Sequence, residues 1–99
     1  MPDAFSPDTF EPHVGSEFSI KRGPGPLVLL QLDKVDRHEP RSHGDRRDPF
    51  ALLFVGPGGQ PLPQAIYPMD HDMLGRLDIF VVPIGPLPDG RQQYEAVFN

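Results

Sequence analysis

Asp70-His71-Asp72 is the most chemically suggestive triplet in the chain. An imidazole between two carboxylates has the composition of a metal site or an acid–base pair. Geometry works against both readings, because neighbours on a strand point to opposite faces. The three groups converge only in a tight turn. The alternative is a polar corner between Tyr67 and Leu74, with an aspartate accepting backbone N–H bonds. His38, Glu39 and His43 are a second candidate. His and Glu suit a borderline metal, but the spacing matches no known cage, and the intervening proline and serine point to a solvated loop. Neither set is expected to hold a metal, and no cofactor is expected.

Arg41, Arg46 and Arg47 crowd the same segment. Guanidinium groups clamp carboxylates or phosphates bidentately. They are candidate contacts for a protein partner; otherwise they pair with Asp45 and Asp48. The glycines at 56, 58 and 59 resemble a phosphate loop only by composition. No lysine-serine or lysine-threonine pair follows, and no helix follows to supply its dipole. The serines at 6, 16, 19 and 42 stand in no nucleophile-elbow context. No catalytic residue is expected.

The elements that must position these groups follow from punctuation and alternation. Pro 14 and Gly 10 make 24 backbone punctuators in 99 residues, against about 12 at average usage. A helical bundle cannot absorb them, since each interior proline costs about 3 kcal/mol. Apolar residues at 37% argue against disorder. Short strands between turns remain. Ser6-Pro7-Asp8 starts a helix with a serine cap, proline at the first position and an acid in the first turn. Pro12 should end it at Glu11 after one turn, with Phe10 and Val14 as anchors.

Six strands follow, at 17–21, 27–36, 50–55, 65–69, 76–82 and 93–98. Phe18 and Ile20 alternate with Glu17, Ser19 and Lys21. In the second strand Val28, Leu30 and Leu32 share a face but Val35 falls on the other; a bulge near Asp33 or Lys34 restores register. Residues 50–55 are apolar on both faces, the pattern of a central strand. Pro68 sets the fourth strand at an edge or at its own end, and Pro83 stops the fifth. Leu77, Ile79 and Val81 point in, which leaves Phe80 outward and in need of cover. Tyr94, Ala96 and Phe98 alternate to the chain end, so that end should be paired rather than frayed. Residues 1–5 read as loose and 37–49 as one long polar loop.

Short connections favour antiparallel pairing. The fold class is therefore all-β: one domain over residues 1–99, a small six-stranded, mostly antiparallel barrel or sandwich with one short N-terminal helical turn.

Composition bounds function. The net charge of −5 weighs against nucleic-acid binding. Zero cysteines exclude disulfides, thiolate metal sites and cysteine nucleophiles. The N-terminus lacks the basic and apolar regions of a signal peptide, and apolar runs such as Leu27 to Leu30 and Phe50 to Val55 are far too short for a membrane span. The expected location is the cytoplasm or an assembled particle.

Several motifs resemble a small bacterial family of uncharacterised domains. They are Phe10-Glu11 with Val14-Gly15 and Phe18; Phe50-Ala-Leu-Leu-Phe-Val-Gly-Pro57; Leu62-Pro-Gln64; Tyr67; Leu74-Gly75; Ile79-Phe-Val-Val-Pro83; and the terminal Tyr94-Glu-Ala-Val-Phe-Asn99. The resemblance covers residues 10–99. It implies no catalytic residues. It does imply a genomic setting beside phage-tail collar-type fibre genes. The expectation is then a non-enzymatic accessory or structural protein of a phage-tail-like or surface-fibre assembly, with a tail-fibre or collar-type protein as partner. Arg41, Arg46, Arg47 and Phe80 are its candidate partner-binding residues, since apolar positions that point outward favour a protein partner. The alternative is a small-molecule or peptide-binding barrel module.

Overall fold

Alternation and turn chemistry build every strand of the structure, a computed structural model that describes residues 6–21, 24–37 and 49–98. A helical turn, α1 (Pro7–Phe10), runs into a 3-10 turn, η1 (Glu11–His13). The strands are β1 (Glu17–Ile20), β2 (Val28–Arg37), β3 (Phe50–Gly58), β4 (Ala65–His71), β5 (Gly75–Pro86) and β6 (Arg91–Phe98). They close into one antiparallel barrel in the order β1-β2-β3-β6-β5-β4. Of the two expected architectures, it is the barrel that forms.

The interior is a packed core. Phe18, Ile20, Leu30, Leu32, Leu52 and Phe54 are all fully buried. Phe50, Leu52 and Phe54 of β3 face inward, and Ala51 and Val55 on its other face are buried too, as expected for a central strand. The register of β2 on β3 shifts between Leu32 and Lys34. That bulge at Asp33 returns Val35 to the core side, where it pairs with Leu52. Tyr94 and Ala96 are buried in β6, and the Phe98 ring stacks on Phe50 at 4.7 Å.

Prolines behave differently from the sequence expectation. Pro83 does not stop β5, which continues to Pro86, and β3 passes through Pro57. Each of these prolines sits where its strand has one neighbour among the described residues. The β2 ladder on β3 ends at Val55, the β4 ladder on β5 ends at Val81, and the β1 ladder on β4 reaches only Met69, short of Pro68. A missing N–H costs a ladder bond only where a ladder exists. Both prolonged strands also take a bulge, at Gly56/Gly58 and at Pro83/Gly85. Gly85 has φ 116°, a conformation that favours glycine.

The N-terminal segment also departs in detail. Pro12 does not end the helical path at Glu11, which stays helical at φ −57°, ψ −40°; the path tightens into η1 with Pro12 in its first turn. Ser6 makes no side-chain cap; its hydroxyl pairs with that of Thr9 at 2.9 Å. Phe10 is fully buried, but Val14 is exposed and anchors nothing. Arg37 ends β2 rather than opening the polar loop. The expectations for residues 1–5 and 38–48 lie outside the described residues.

The two barrel ends are closed by different segments. At one, Phe10 packs on the rings of Phe18, Phe50 and Phe98 at centroid distances of 6.3–6.4 Å. At the other, residues 59–64 fold over the opening. There the Leu62 N–H donates to the Tyr94 hydroxyl at 2.9 Å, the Tyr67 hydroxyl donates to the Pro63 carbonyl, and Gln92 Nε2 donates to the Gly59 carbonyl at 2.6 Å.

Candidate functional site

Strand period fixes what the barrel shows to solvent. In β4 the inward residues are Tyr67, Met69 and His71, so Ile66, Pro68 and Asp70 face out. In β5 Ile79 and Val81 face in, and Phe80 faces out. Ile66 lies directly across from Phe80. The β5–β6 ladder ends at the Val82–Glu95 pair, two residues short of Phe80 and of Val97, which faces out from β6. Ile66, Phe80 and Val97 are exposed by 65%, 47% and 50%. They make a row of outward apolar positions on three successive strands, and Val97 pairs with the buried Ala51 of β3. Asp78 lies on one side of this row and Glu95 on the other.

Phe80 is thus where the sequence placed it, outward and uncovered. Ile66 and Val97 were not singled out beforehand, although their alternation would have found them. Arg41, Arg46 and Arg47 lie outside the described residues, as do His38, Glu39 and His43.

Beside the row, at the narrow β1–β4 seam, Lys21, Pro24, Pro68, Asp70 and Arg76 line a solvent-open groove of about 600 Å³. The seam is narrow because, among the described residues, only Ser19–Asp70 and Ile20–Met69 pair across it.

The Asp70-His71-Asp72 corner resolves into a different arrangement from the one expected. Histidine, not an aspartate, accepts the backbone N–H bonds of the turn. His71 ends β4 and is buried. Its Nδ1 accepts the N–H of Met73 at 3.0 Å and of Leu74 at 3.1 Å. That places the ring proton on Nε2, which donates to Ser16 Oγ at 2.8 Å. The Ser16 hydroxyl in turn donates to the His13 carbonyl. Burial holds the His71 pKa below 6.5, the nearby His13 lowers it further, and Asp72 opposes.

A buried serine–histidine contact invites a catalytic reading. The proton order argues against it. A general base must offer Ser16 a lone pair, and here Nε2 carries the proton. Nδ1, where a triad carboxylate would sit, is filled by two backbone donors. No group of three or more His, Asp or Glu that could hold a metal occurs among the described residues.

A family model described as a domain of unknown function, DUF6916, matches residues 5–98. The chain belongs to the DUF6916 family. No curated protein and no solved structure gives a match. The DUF6916 barrel therefore presents two surface features, the apolar row and the adjoining groove. No described helix is long and apolar enough to cross a membrane.

Proposed function

We propose that this DUF6916 domain is a non-enzymatic accessory or structural component of a phage-tail-like or surface-fibre assembly, and that it docks a protein partner on the outer face of β4, β5 and β6. The carrying observation is the exposed row of Ile66, Phe80 and Val97. Contiguous apolar side chains on a sheet face mark interaction surfaces. The acids Asp78 and Glu95 border the row, so the matching partner carries an apolar ridge flanked by Lys or Arg. The fibre setting rests on the resemblance to domains encoded beside phage-tail collar-type fibre genes. The domain then works in the cytoplasm or within the assembled particle, binding no nucleic acid and using no cofactor.

The test is a pull-down from the native host with N-terminally tagged protein, read by mass spectrometry beside the double variant Ile66→Ser, Phe80→Asp. Both positions are exposed, so the fold should survive. The expected result is a tail-fibre or collar-type protein captured by the wild type and lost by the variant. Equal capture by both proteins overturns the docking face.

The groove favours a second reading, a small-molecule or peptide-binding barrel. Lys21 and Arg76 supply cations, Asp70 an anion, and Pro24 and Pro68 apolar walls. That donor set suits a peptide carrying both charges. Shift changes confined to these residues on titrating mixed-charge peptides would select it over the docking face.

A further inference from the structure

The N-terminal segment of residues 6–16 is a plug. It carries Phe10 into the barrel end against Phe18, Phe50 and Phe98. It is tied down at its C-terminal side. The Gly15 N–H donates to the Leu32 carbonyl at 2.7 Å, the Leu32 N–H donates to the Ser16 carbonyl at 2.9 Å, and Gln31 Nε2 donates to the Gly15 carbonyl at 3.1 Å. A further tie crosses the barrel end from β4, through His71 to the Ser16 hydroxyl.

We propose that His71 is an acid-released latch, whose protonation at Nδ1 unties the 72–74 turn and, through Ser16, loosens the plug from the barrel end. The geometry leaves a second proton no place. Nδ1 is the shared acceptor of two backbone N–H groups. Once protonated it becomes a third donor facing those two, with no acceptor among them. The imidazolium must turn away, and turning breaks the Nε2–Ser16 bond as well.

Among the described residues the surroundings offer one compensating charge. From η1 comes His13, its ring edge-on at 4.7 Å; from β1 comes the Phe18 ring at 4.5 Å; from the turn comes Asp72. His13 opposes a positive charge on His71. The Phe18 face cannot accept a strong hydrogen bond. Asp72 alone attracts, and no hydrogen bond ties it to the ring among the described residues.

Linkage gives the pH window. The closed state holds His71 below 6.5 and the released state returns it to 6.5. The released state therefore binds the extra proton more readily. The plug is fully latched above about pH 6.5 and loosens as pH falls below that value. Between the two pKa values the opening constant rises by up to about tenfold per pH unit.

The experiment uses the full chain and nuclear magnetic resonance from pH 7.5 to 5. Imidazole nitrogen shifts should show the Nε2–H tautomer at neutral pH and a His71 midpoint below 6.5. Hydrogen exchange at Gly15, Met73 and Leu74, corrected for intrinsic rates, should speed up below the onset by at most about tenfold per pH unit and level off below the closed-state value. His71→Asn keeps an acceptor near the Nδ1 position but cannot titrate; its exchange should lose this pH dependence. Ser16→Ala should free Gly15 at neutral pH while leaving the acid response of Met73 and Leu74. Corrected exchange at Gly15 that is flat with pH in the wild type overturns the latch. So does the Nδ1–H tautomer, or an unchanged acid response in His71→Asn. Should His71→Asn not fold, the wild-type tautomer and exchange profile decide alone.

Discussion

The two ends of the barrel are closed by opposite means. One is stopped by the N-terminal plug, which brings Phe10, His13 and the acids Asp8 and Glu11, and meets His71 of β4 and Arg37 of β2. The other is covered by residues 59–64, where Pro61 and Pro63 stiffen the backbone and the ties run through tyrosine hydroxyls, a glutamine amide and main-chain groups. Both ends satisfy the same demand: a six-stranded barrel leaves aromatic side chains at its rims, and water must be kept from them. They differ in what can undo them. Acid and salt act on the plug itself; the bonds that hold residues 59–64 carry no charge, and the ion pair at that end, Arg91 with Asp89 at 2.8 Å, stays within the β5–β6 turn.

β6 belongs to both ends, so losing it has the largest effect. Tyr94 ties the loop end through Leu62, and Phe98 stacks under the plug on Phe50. Removing residues 94–99 takes both anchors and strips β3 and β5 of their shared neighbour. Fully burying a Phe contributes about 1.5–3 kcal/mol of transfer free energy; the partly buried Phe98 contributes less, and the fully buried Tyr94 adds its own share, against a total stability of about 5–15 kcal/mol for a domain. The truncated chain should show no cooperative unfolding and a flat near-ultraviolet circular dichroism spectrum. A soluble, monomeric, cooperatively folded product would refute the shared-anchor account.

Next in size is the plug itself. Phe10 is fully buried among three rings, so Phe10→Ala should cost about 3–5 kcal/mol in denaturant unfolding. A loss below about 1 kcal/mol would mean that the barrel end recloses without the plug.

The loop end should answer to a subtler change. Tyr94→Phe keeps the ring and removes only the oxygen that accepts the Leu62 N–H. A buried donor left without a partner costs about 1–3 kcal/mol. This loss should be the same at pH 7.5 and pH 5.5, unlike any change at the plug end. A pH-dependent loss would show that the two ends are coupled. Gly56→Ala tests the β3 wall nearby, because an added Cβ would lie 2.6 Å from Leu30 Cδ2 and 3.3 Å from the Tyr94 ring. Crowding of this kind costs about 1–3 kcal/mol.

Much of this contrast was legible in the residues. Alternation, the apolar run at 50–55 and the turns between them located all six strands, and the parity of Val35 alone called for a bulge near Asp33 or Lys34, which the register places at Asp33. Phe80 stood out because its neighbours Ile79 and Val81 already claimed the core. The extents of β3 and β5 were misread because proline was weighed as a terminator. What a proline costs depends on whether its strand has a partner on both sides, and strand order is not visible in local sequence. The tie between Ser16 and His71 was hidden for a similar reason: 55 residues separate them, and only barrel closure brings them together. Val14 was misplaced because the path after Phe10 tightens into a 3-10 turn, which rotates later side chains away from the α-helical face.

The smallest effect belongs to the outermost tie of the plug. Arg37, the last residue of β2, donates through Nε and Nη2 to the Glu11 carboxylate at 2.9 and 2.6 Å, and through Nη2 to Asp8 at 2.6 Å. These bonds hold the Glu11 carboxyl below its usual range and raise the Arg37 guanidinium above its own. Only the Glu11 shift bears on acid stability. A depressed carboxylate stabilises the fold above its unfolded value of 4.5, and that contribution is lost as pH falls through the folded value. It therefore acts below the range in which His71 acts, and acid should loosen the plug in two separate stages. The cluster is exposed, with 85% of the Asp8 side chain open to solvent, and exposed pairs contribute little because water and salt screen them. Arg37→Ala should lower the denaturation midpoint by less than Tyr94→Phe does, and should abolish the lower acid stage while leaving the upper one. Raising salt to about 1 M, where the screening length is about 3 Å, should close the gap between the variant and the wild type. A gap that persists in high salt would assign the role of Arg37 to packing of its aliphatic stem over the plug rather than to its charge.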